Sequence, residues 1–256
     1  FGLCQRRECM MNLESKFLQH TCCIAVCCFF MEQERSACRK MQLTDAQMRL
    51  YAITDDRWLN GRTLYDCVED ALKGGVTMLQ IREKHCSTEK LTALAIPIVS
   101  LCHRYHVPCI INDDVQAAKD SGADGVHVGQ DDTSIAQARA VLGAGKWIGT
   151  SAHNVAEARK AQQDGADYIG TGAVFGSATK QDATPLSLQT LQEICQAVTI
   201  PVVAIGGITA ENALQLREFG GQGIAVISAI FAKLDCMTAA KEMRQLADAI
   251  CKGAGA

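Results

Sequence analysis

Two short apolar runs in this chain end abruptly in acids and amides. The first reads C-I-I-N-D-D from Cys109 to Asp114, and the second reads G-A-D-G-V-H-V-G-Q-D-D from Gly122 to Asp132. As neighbouring parallel strands they bring Asn112, Asp113, Gln130, Asp131 and Asp132 to one rim of a sheet. Carboxylates gathered there repel one another unless a cation sits between them, and Mg²⁺ suits such oxygen donors. A plainer alternative is that Asp113 and Asp114 only cap the following helix. Capping accounts for one acidic pair, but less well for two, each just after a strand.

Other strand ends carry complementary groups. A run ending at Ile81 is followed by Arg82, Glu83 and Lys84, so two cations face the two carboxylates Asp113 and Asp132. Those are the parts for a diphosphate chelated to Mg²⁺. Further on, A-I-G-G-I-T (204–209) and A-V-I-S-A-I (225–230) expose backbone N–H groups beside a helix start, an arrangement suited to a phosphate monoester. Lys180, within G-S-A-T-K-Q-D, is placed to close over an anion as a mobile third cation. Two phosphorylated substrates are expected, one of them with a diphosphate leaving group.

Composition sets the outer limits. The chain has 256 residues, 48% of them apolar and 21% charged, enough for one large domain with a full core. A net charge of −3 argues against a nucleic-acid partner or an anionic membrane surface. Of the 14 cysteines, Cys4, Cys9, Cys22, Cys23, Cys27, Cys28 and Cys38 fall early and the rest are scattered. Scattered thiols point to a reduced, cytoplasmic protein, with no disulfide scaffold. Residues 1–40 lack an amphipathic period and read as a disordered or non-functional extension, with Met41 a candidate start. Its apolar run, Cys22 to Met31, is too short to span a bilayer. A signal peptide is disfavoured because Glu-Gln-Glu-Arg follows where small residues should stand. Zinc binding is disfavoured by the lack of C-x-x-C spacing.

From residue 49 the chain alternates. Strands are expected at 49–54, 77–81, 109–112, 125–128, 147–150, 167–170, 202–205 and 223–227. Helices are expected at 63–73, 87–105 (disturbed near Pro97), 115–120, 134–142, 155–164, 186–197, 210–219 and 236–251. Gly-Ala-Asp recurs before two strands, at 122–124 and 165–167, where the glycine suits a helix C-cap. Eight βα units within 41–256 predict an α/β fold, a single-domain closed (β/α)8 TIM barrel with its chemistry at the C-terminal ends of the strands. No G-x-G-x-x-G follows the first strand, which weakens a dinucleotide-binding alternative.

With those residues assembled, the chain from Met41 onward strongly resembles the thiamine-phosphate synthase family. The matching stretches are Y-A-I-T-D-D-R (51–57), Q-I-R-E-K (80–84), I-N-D-D (111–114), G-V-H-V-G-Q-D-D (125–132), I-G-T-S-A-H (148–153), A-T-K-Q-D-A-T-P (178–185), A-I-G-G-I-T (204–209) and I-S-A-I (227–230). They fall in the family's order across the whole barrel. The resemblance implies a Mg²⁺-dependent transferase that joins hydroxymethylpyrimidine diphosphate to hydroxyethylthiazole phosphate, giving thiamine monophosphate and pyrophosphate. It implies Asp113 and Asp132 as metal ligands, and Lys180, Lys84, Arg82 and Ser151 as the catalytic set. Substrate contacts carried over by position are Gln80, Arg82, Lys84, Asn112, Ser151 and Lys180 for the pyrimidine diphosphate. For the thiazole phosphate they are Ser177, Thr179, Gly207, Ile227 and Ser228, and Ile81, Glu83 and Ala178 are further substrate-binding positions. Ala173, Gly176 and Ser177 replace two prolines and a threonine common in the family, which predicts a looser loop after the sixth strand.

The implied reaction needs no general base, because the attacking ring nitrogen carries no proton to lose. Two other readings stand beside it. A thiazole tautomerase would use His127 or His153 as acid or base, although His127 alternates into its strand and is read as packed. A non-catalytic phosphate-binding barrel would release no pyrophosphate. Small molecules are the expected partners, and a homo-oligomer is compatible with everything above.

Overall fold

The computed structural model describes residues 43–59, 61–84, 86–130, 132–176 and 185–251. They lie within one compact unit, Gln42–Ala256. The extension expected at 1–40 lies outside the described residues.

After a single capped turn, α1 (Asp45–Met48), the chain builds β1 (Leu50–Ile53), α2 (Leu64–Lys73), β2 (Met78–Ile81), α3 (Thr88–Arg104), β3 (Cys109–Asn112) and α4 (Val115–Asp120). It continues through β4 (Gly125–Val128), α5 (Ile135–Leu142), β5 (Trp147–Ala152), α6 (Val155–Gln163), β6 (Tyr168–Thr171) and α7 (Leu188–Ala197). It ends with β7 (Val202–Ile205), β8 (Gly223–Val226), α8 (Ser228–Phe231) and α9 (Cys236–Cys251). The eight strands close in sequence order, and β8 pairs in parallel with β1. The TIM barrel expected from the alternation is the fold observed.

The strands are largely apolar because both of their faces are buried. Outward residues such as Leu50, Leu79, Ile111, Val126 and Ile169 pack under the helices. Inward residues Tyr51, Ile53, Met78, Ile110, Trp147, Tyr168, Val203 and Ala225 fill the barrel itself. Each helix from α2 to α7 begins with a side chain that accepts a backbone N–H of the first turn: Thr63, Ser87, Asp114, Ser134, Asn154 and Ser187. Such caps fix where each loop over the C-terminal rim must end.

The Gly-Ala-Asp repeats work at the opposite end of the barrel. Gly122 and Gly165 take positive φ, +75° and +91°, and turn the chain out of α4 and α6. The following aspartates then accept N–H groups at the start of neighbouring strands: Asp124 from Cys109 (2.8 Å) and Asp167 from Ile148 (2.8 Å). Arg139 donates to Asp167 (2.7 Å) and ties α5 to that end.

The structure corrects three details. The helix expected at 210–219 is a 3₁₀ turn, Ala213–Leu216. Asn212 accepts the Thr209 N–H (2.9 Å) and donates to the Gly207 carbonyl (2.8 Å), and Glu218 then takes φ +62°. Side chain to backbone bonds of this kind compete with the helical ladder and shorten it. Strand β8 stops at Val226, because Ile227 starts the short helix α8. Pro97 lies inside α3, which continues through it to Arg104.

Candidate active site

The C-terminal ends of β1 to β5 place most of the polar residues singled out in the sequence. Asp113 follows β3 in the left-handed region, with φ +62°, and its N–H donates to the His127 carbonyl on β4 (2.8 Å). Left-handed backbone is uncommon outside glycine, although aspartate tolerates it better than most residues. Here it separates the two adjacent acids. Asp114 caps α4 by accepting the Ala117 N–H (2.8 Å) and also accepts the Thr88 hydroxyl (2.7 Å). Capping therefore explains Asp114 alone, and Asp113 is left at the rim.

Asp132, beyond β4, accepts the Gly129 N–H (2.8 Å) and lies close enough to Asp113 for its charge to be felt there. Surrounding protein and the Asp132 charge push the Asp113 carboxyl up to about 6, while Asn112 and Lys84 pull the other way. Asn112, Asp113, Asp132 and Lys84 are thus one cluster built from three loops. Asp131 lies outside the described residues. Among the described residues, no group of three or more His, Cys, Asp or Glu side chains surrounds a common point.

Arg82 and Glu83 sit at the β2 end of the same rim. The Arg82 N–H donates to the Thr54 hydroxyl (2.9 Å), and its guanidinium lies 3.8 Å from the buried Asp55 carboxylate. The Oε1 atom of Glu83 is buried, with no hydrogen-bond partner among the described residues. Burial first, then the Asp56 and Asp55 charges, push its carboxyl up to about 7. The folded chain thus holds that proton more tightly than an unfolded one does, so Glu83 costs stability as pH rises from about 4.5 to 7. Glu83→Gln is expected to raise the thermal midpoint at pH 8 and to leave it nearly unchanged at pH 4.5. An equal gain at both pH values would show that charge burial is not the cause.

Inside the barrel a hydrogen-bonded chain crosses from β2 to β5. Gln80 Nε2 donates to the Tyr51 hydroxyl (2.7 Å), and the Tyr51 and Tyr168 hydroxyls pair at 2.8 Å. His127 Nδ1 lies 3.2 Å from the Tyr168 hydroxyl, and its Nε2 lies 3.2 Å from the Ser151 hydroxyl. Burial holds both phenols well above their ordinary range, so they stay neutral. Gln80 and Ser151, far apart in sequence, thereby occupy the two ends of one network. His127 is packed as expected, 5.5 Å from the Tyr168 ring by centroid, and it bonds through both nitrogens. Tyr51 and Tyr168 were not anticipated. The signal for Tyr168 is inward parity on a strand whose register partner is a glycine: an added Cβ at Gly149 would stand 2.0 Å from the Tyr168 ring.

The remaining residues fall into two groups. Gly207, with φ +62°, lies where an added Cβ would be 2.4 Å from the Phe175 carbonyl oxygen, so glycine lets the loop after β6 lie against the end of β7. Ile227 and Ser228 open α8 on the neighbouring strand end. Ile81 is fully buried among the outward-facing core residues, which leaves only its backbone near the rim. His153 is held instead just before the α6 cap, with its N–H and Nδ1 both on Glu157 (2.8 and 2.9 Å). Ser177, Ala178, Thr179 and Lys180 lie outside the described residues.

An eight-stranded parallel barrel with its acids, cations and amides collected at the C-terminal strand ends defines a (β/α)8-barrel enzyme. Residues 50–230 match the family model described as thiamine monophosphate synthase. A thiamine-phosphate synthase of Clostridium novyi is 47% identical over 203 residues, covering 79% of this chain and 100% of that one. One of Chloroflexus aurantiacus is 47% identical over 199 residues, covering 77% and 92%. The solved thiamine phosphate pyrophosphorylase of Pyrococcus furiosus superposes with a TM-score of 0.75 at 35% identity, covering 80% of this chain and 98% of that one. The chain belongs to the thiamine monophosphate synthase family, a family of transferases.

Proposed function

We propose that this chain joins hydroxymethylpyrimidine diphosphate to hydroxyethylthiazole phosphate, releasing pyrophosphate and giving thiamine monophosphate. The observation that carries this reading is that Asp113, Asp132 and Lys84 come near enough at one rim to feel each other's charge, in a chain of this family.

The residues present fit Mg²⁺. Asp113 and Asp132 are two rim carboxylates that repel each other, and a divalent cation between them would relieve that cost. Mg²⁺ is held by one or two carboxylates and keeps its other positions for water and substrate phosphates, so these two acids are enough to hold it. When bound, the ion supplies positive charge against the departing diphosphate.

The chain's own residues do the rest. Arg82 and Lys84, from the loop after β2, and Lys180, from the stretch between β6 and α7, neutralise the leaving group. Gln80, Asn112 and Ser151 orient the pyrimidine, with Gln80 and Ser151 held from behind by Tyr51, Tyr168 and His127. Ser177, Thr179, Gly207, Ile227 and Ser228 hold the thiazole phosphate, and Ile81, Glu83 and Ala178 complete the substrate contacts. The pyrimidine ring stabilises the cation left on its methylene, so bond breaking runs ahead of attack by the thiazole nitrogen. Residues 41–256 form the catalytic domain in this reading, and residues 1–40 are an extension outside it. A cytoplasmic enzyme agrees with the seven described cysteines, all free thiols.

The test is pyrophosphate release by the full chain, measured with each substrate alone and with both, with and without Mg²⁺. Release that requires both substrates and the metal supports the proposal. Turnover of the thiazole phosphate alone, unchanged by chelator, would replace it with a tautomerase.

A further inference from the structure

The end of β1 carries a buried acid for which the reaction above has no direct use. Asp55 is 3% exposed, and three separate groups converge on it. Arg57 grips both carboxylate oxygens in a fork, Nε to Oδ1 at 2.8 Å and Nη2 to Oδ2 at 2.6 Å. The Arg57 N–H also donates to Oδ1 (3.2 Å), so the rotamer of Asp55 is fixed from the backbone as well. The third group is Arg82, whose Nη1 lies 3.8 Å from Oδ2. Arg57 is 51% exposed, whereas Arg82 is 12% exposed. A surface arginine thus clamps a buried carboxylate, and the carboxylate faces an arginine on the site rim.

The neighbouring backbone is tied to the same place. Thr54, fully buried, donates its N–H to the Gln80 carbonyl (2.9 Å) and accepts the Arg82 N–H on its hydroxyl (2.9 Å). The segment from Gln80 to Arg82 is therefore fastened to Thr54 and Asp55 by a strand bond, a hydroxyl and an ion pair. An arginine has many rotamers, and its planar fork recognises a diphosphate only when it is held in one of them.

We propose that Asp55 is a positioning residue: held rigid by Arg57, it fixes the guanidinium of Arg82 in the orientation that receives the diphosphate of the substrate. This deepens the reading above and rests on Arg82 contacting that diphosphate. Asp55 itself touches no substrate. Its contribution is the reduced freedom of the guanidinium before the substrate arrives.

A double-mutant cycle on the full-length enzyme tests the idea, with kcat and KM for the diphosphate substrate read by pyrophosphate release. Asp55→Asn is expected to raise that KM about tenfold and to lower kcat less, short of the roughly hundredfold loss caused by misplacing a group by about 1 Å. Asp55→Glu recovers part of the loss. In the Arg82→Ala background, Asp55→Asn changes neither constant by more than about twofold, because the group it positions is gone. A tenfold effect that persists without Arg82 would overturn the inference, as would normal kinetics in Asp55→Asn beside a crippled Arg82→Ala. Normal kinetics in Arg82→Ala would overturn instead the diphosphate site on which it rests. If Asp55→Asn fails to fold, Arg57→Gln carries the same cycle, since it releases the clamp and leaves the carboxylate in place. It is expected to raise KM several-fold with Arg82 present and not without it.

Discussion

Asp113→Asn is expected to lower turnover about a hundredfold, and in the same protein to raise the thermal midpoint measured in chelator at pH 8. Loss of one electrostatic contact at a developing charge costs about 10²–10³ in kcat. The gain in stability follows from the same carboxylate. Its pKa is pushed up from 3.8 to about 6 by surrounding protein and by Asp132. A raised carboxylate pKa means that the metal-free fold loses stability as pH rises from about 4 to 6, and the full cost applies above that. Asparagine removes the repulsion and tolerates the φ of +62° that residue 113 requires. Saturating Mg²⁺ should raise the midpoint of the parent protein and have little effect on the variant. A stabilised variant with normal turnover would remove Asp113 from the chemistry. Lost turnover with an unchanged Mg²⁺ response would give it a role other than holding the ion.

The trade between stability and charge also explains which parts of the site are legible in the sequence. Strands buried on both faces must be apolar throughout, and a polar residue at the end of such a run marks a rim. Hence Asn112, Asp113, Arg82, Lys84 and Ser151 stand out as candidates from pattern alone. The choice between Asp113 and Asp114 is not legible, because it depends on a left-handed residue that no spacing rule forces. Asp55 is hidden by its setting. In T-D-D-R it reads as an ordinary strand-end acid, and only burial with two arginines sets it apart from Asp56. The 3₁₀ turn at Ala213–Leu216 escapes the pattern for a local reason: Asn212 takes hydrogen bonds that a helix start would have used differently.

The interior network is the largest part that pattern reading did not supply, and it dictates the most damaging substitution inside the barrel. Gly149→Ala is expected to cost about 3 kcal/mol or more, at the upper end for forcing atoms into a packed core. For a domain of this size that lowers the midpoint by about 10 °C. Gly149 is opposite Tyr168 in the β5–β6 register, and an added Cβ would lie 2.0 Å from the Tyr168 ring carbon Cζ and 2.4 Å from its hydroxyl. That hydroxyl is shared between Tyr51 and His127, and His127 in turn reaches Ser151. The methyl therefore displaces a ring, breaks two buried hydrogen bonds and releases the groups that back Gln80 and Ser151. If the clash with the ring is the cause, Gly149→Ala combined with Tyr168→Leu should be more stable than Gly149→Ala alone, although Tyr168→Leu by itself destabilises. Strictly additive losses in that cycle would show that the glycine serves the strand backbone and not the ring. With the ring gone, stability would return but KM for the pyrimidine diphosphate would stay high, because packing can be restored by any side chain of suitable volume while the path from Gln80 to Ser151 requires the phenol.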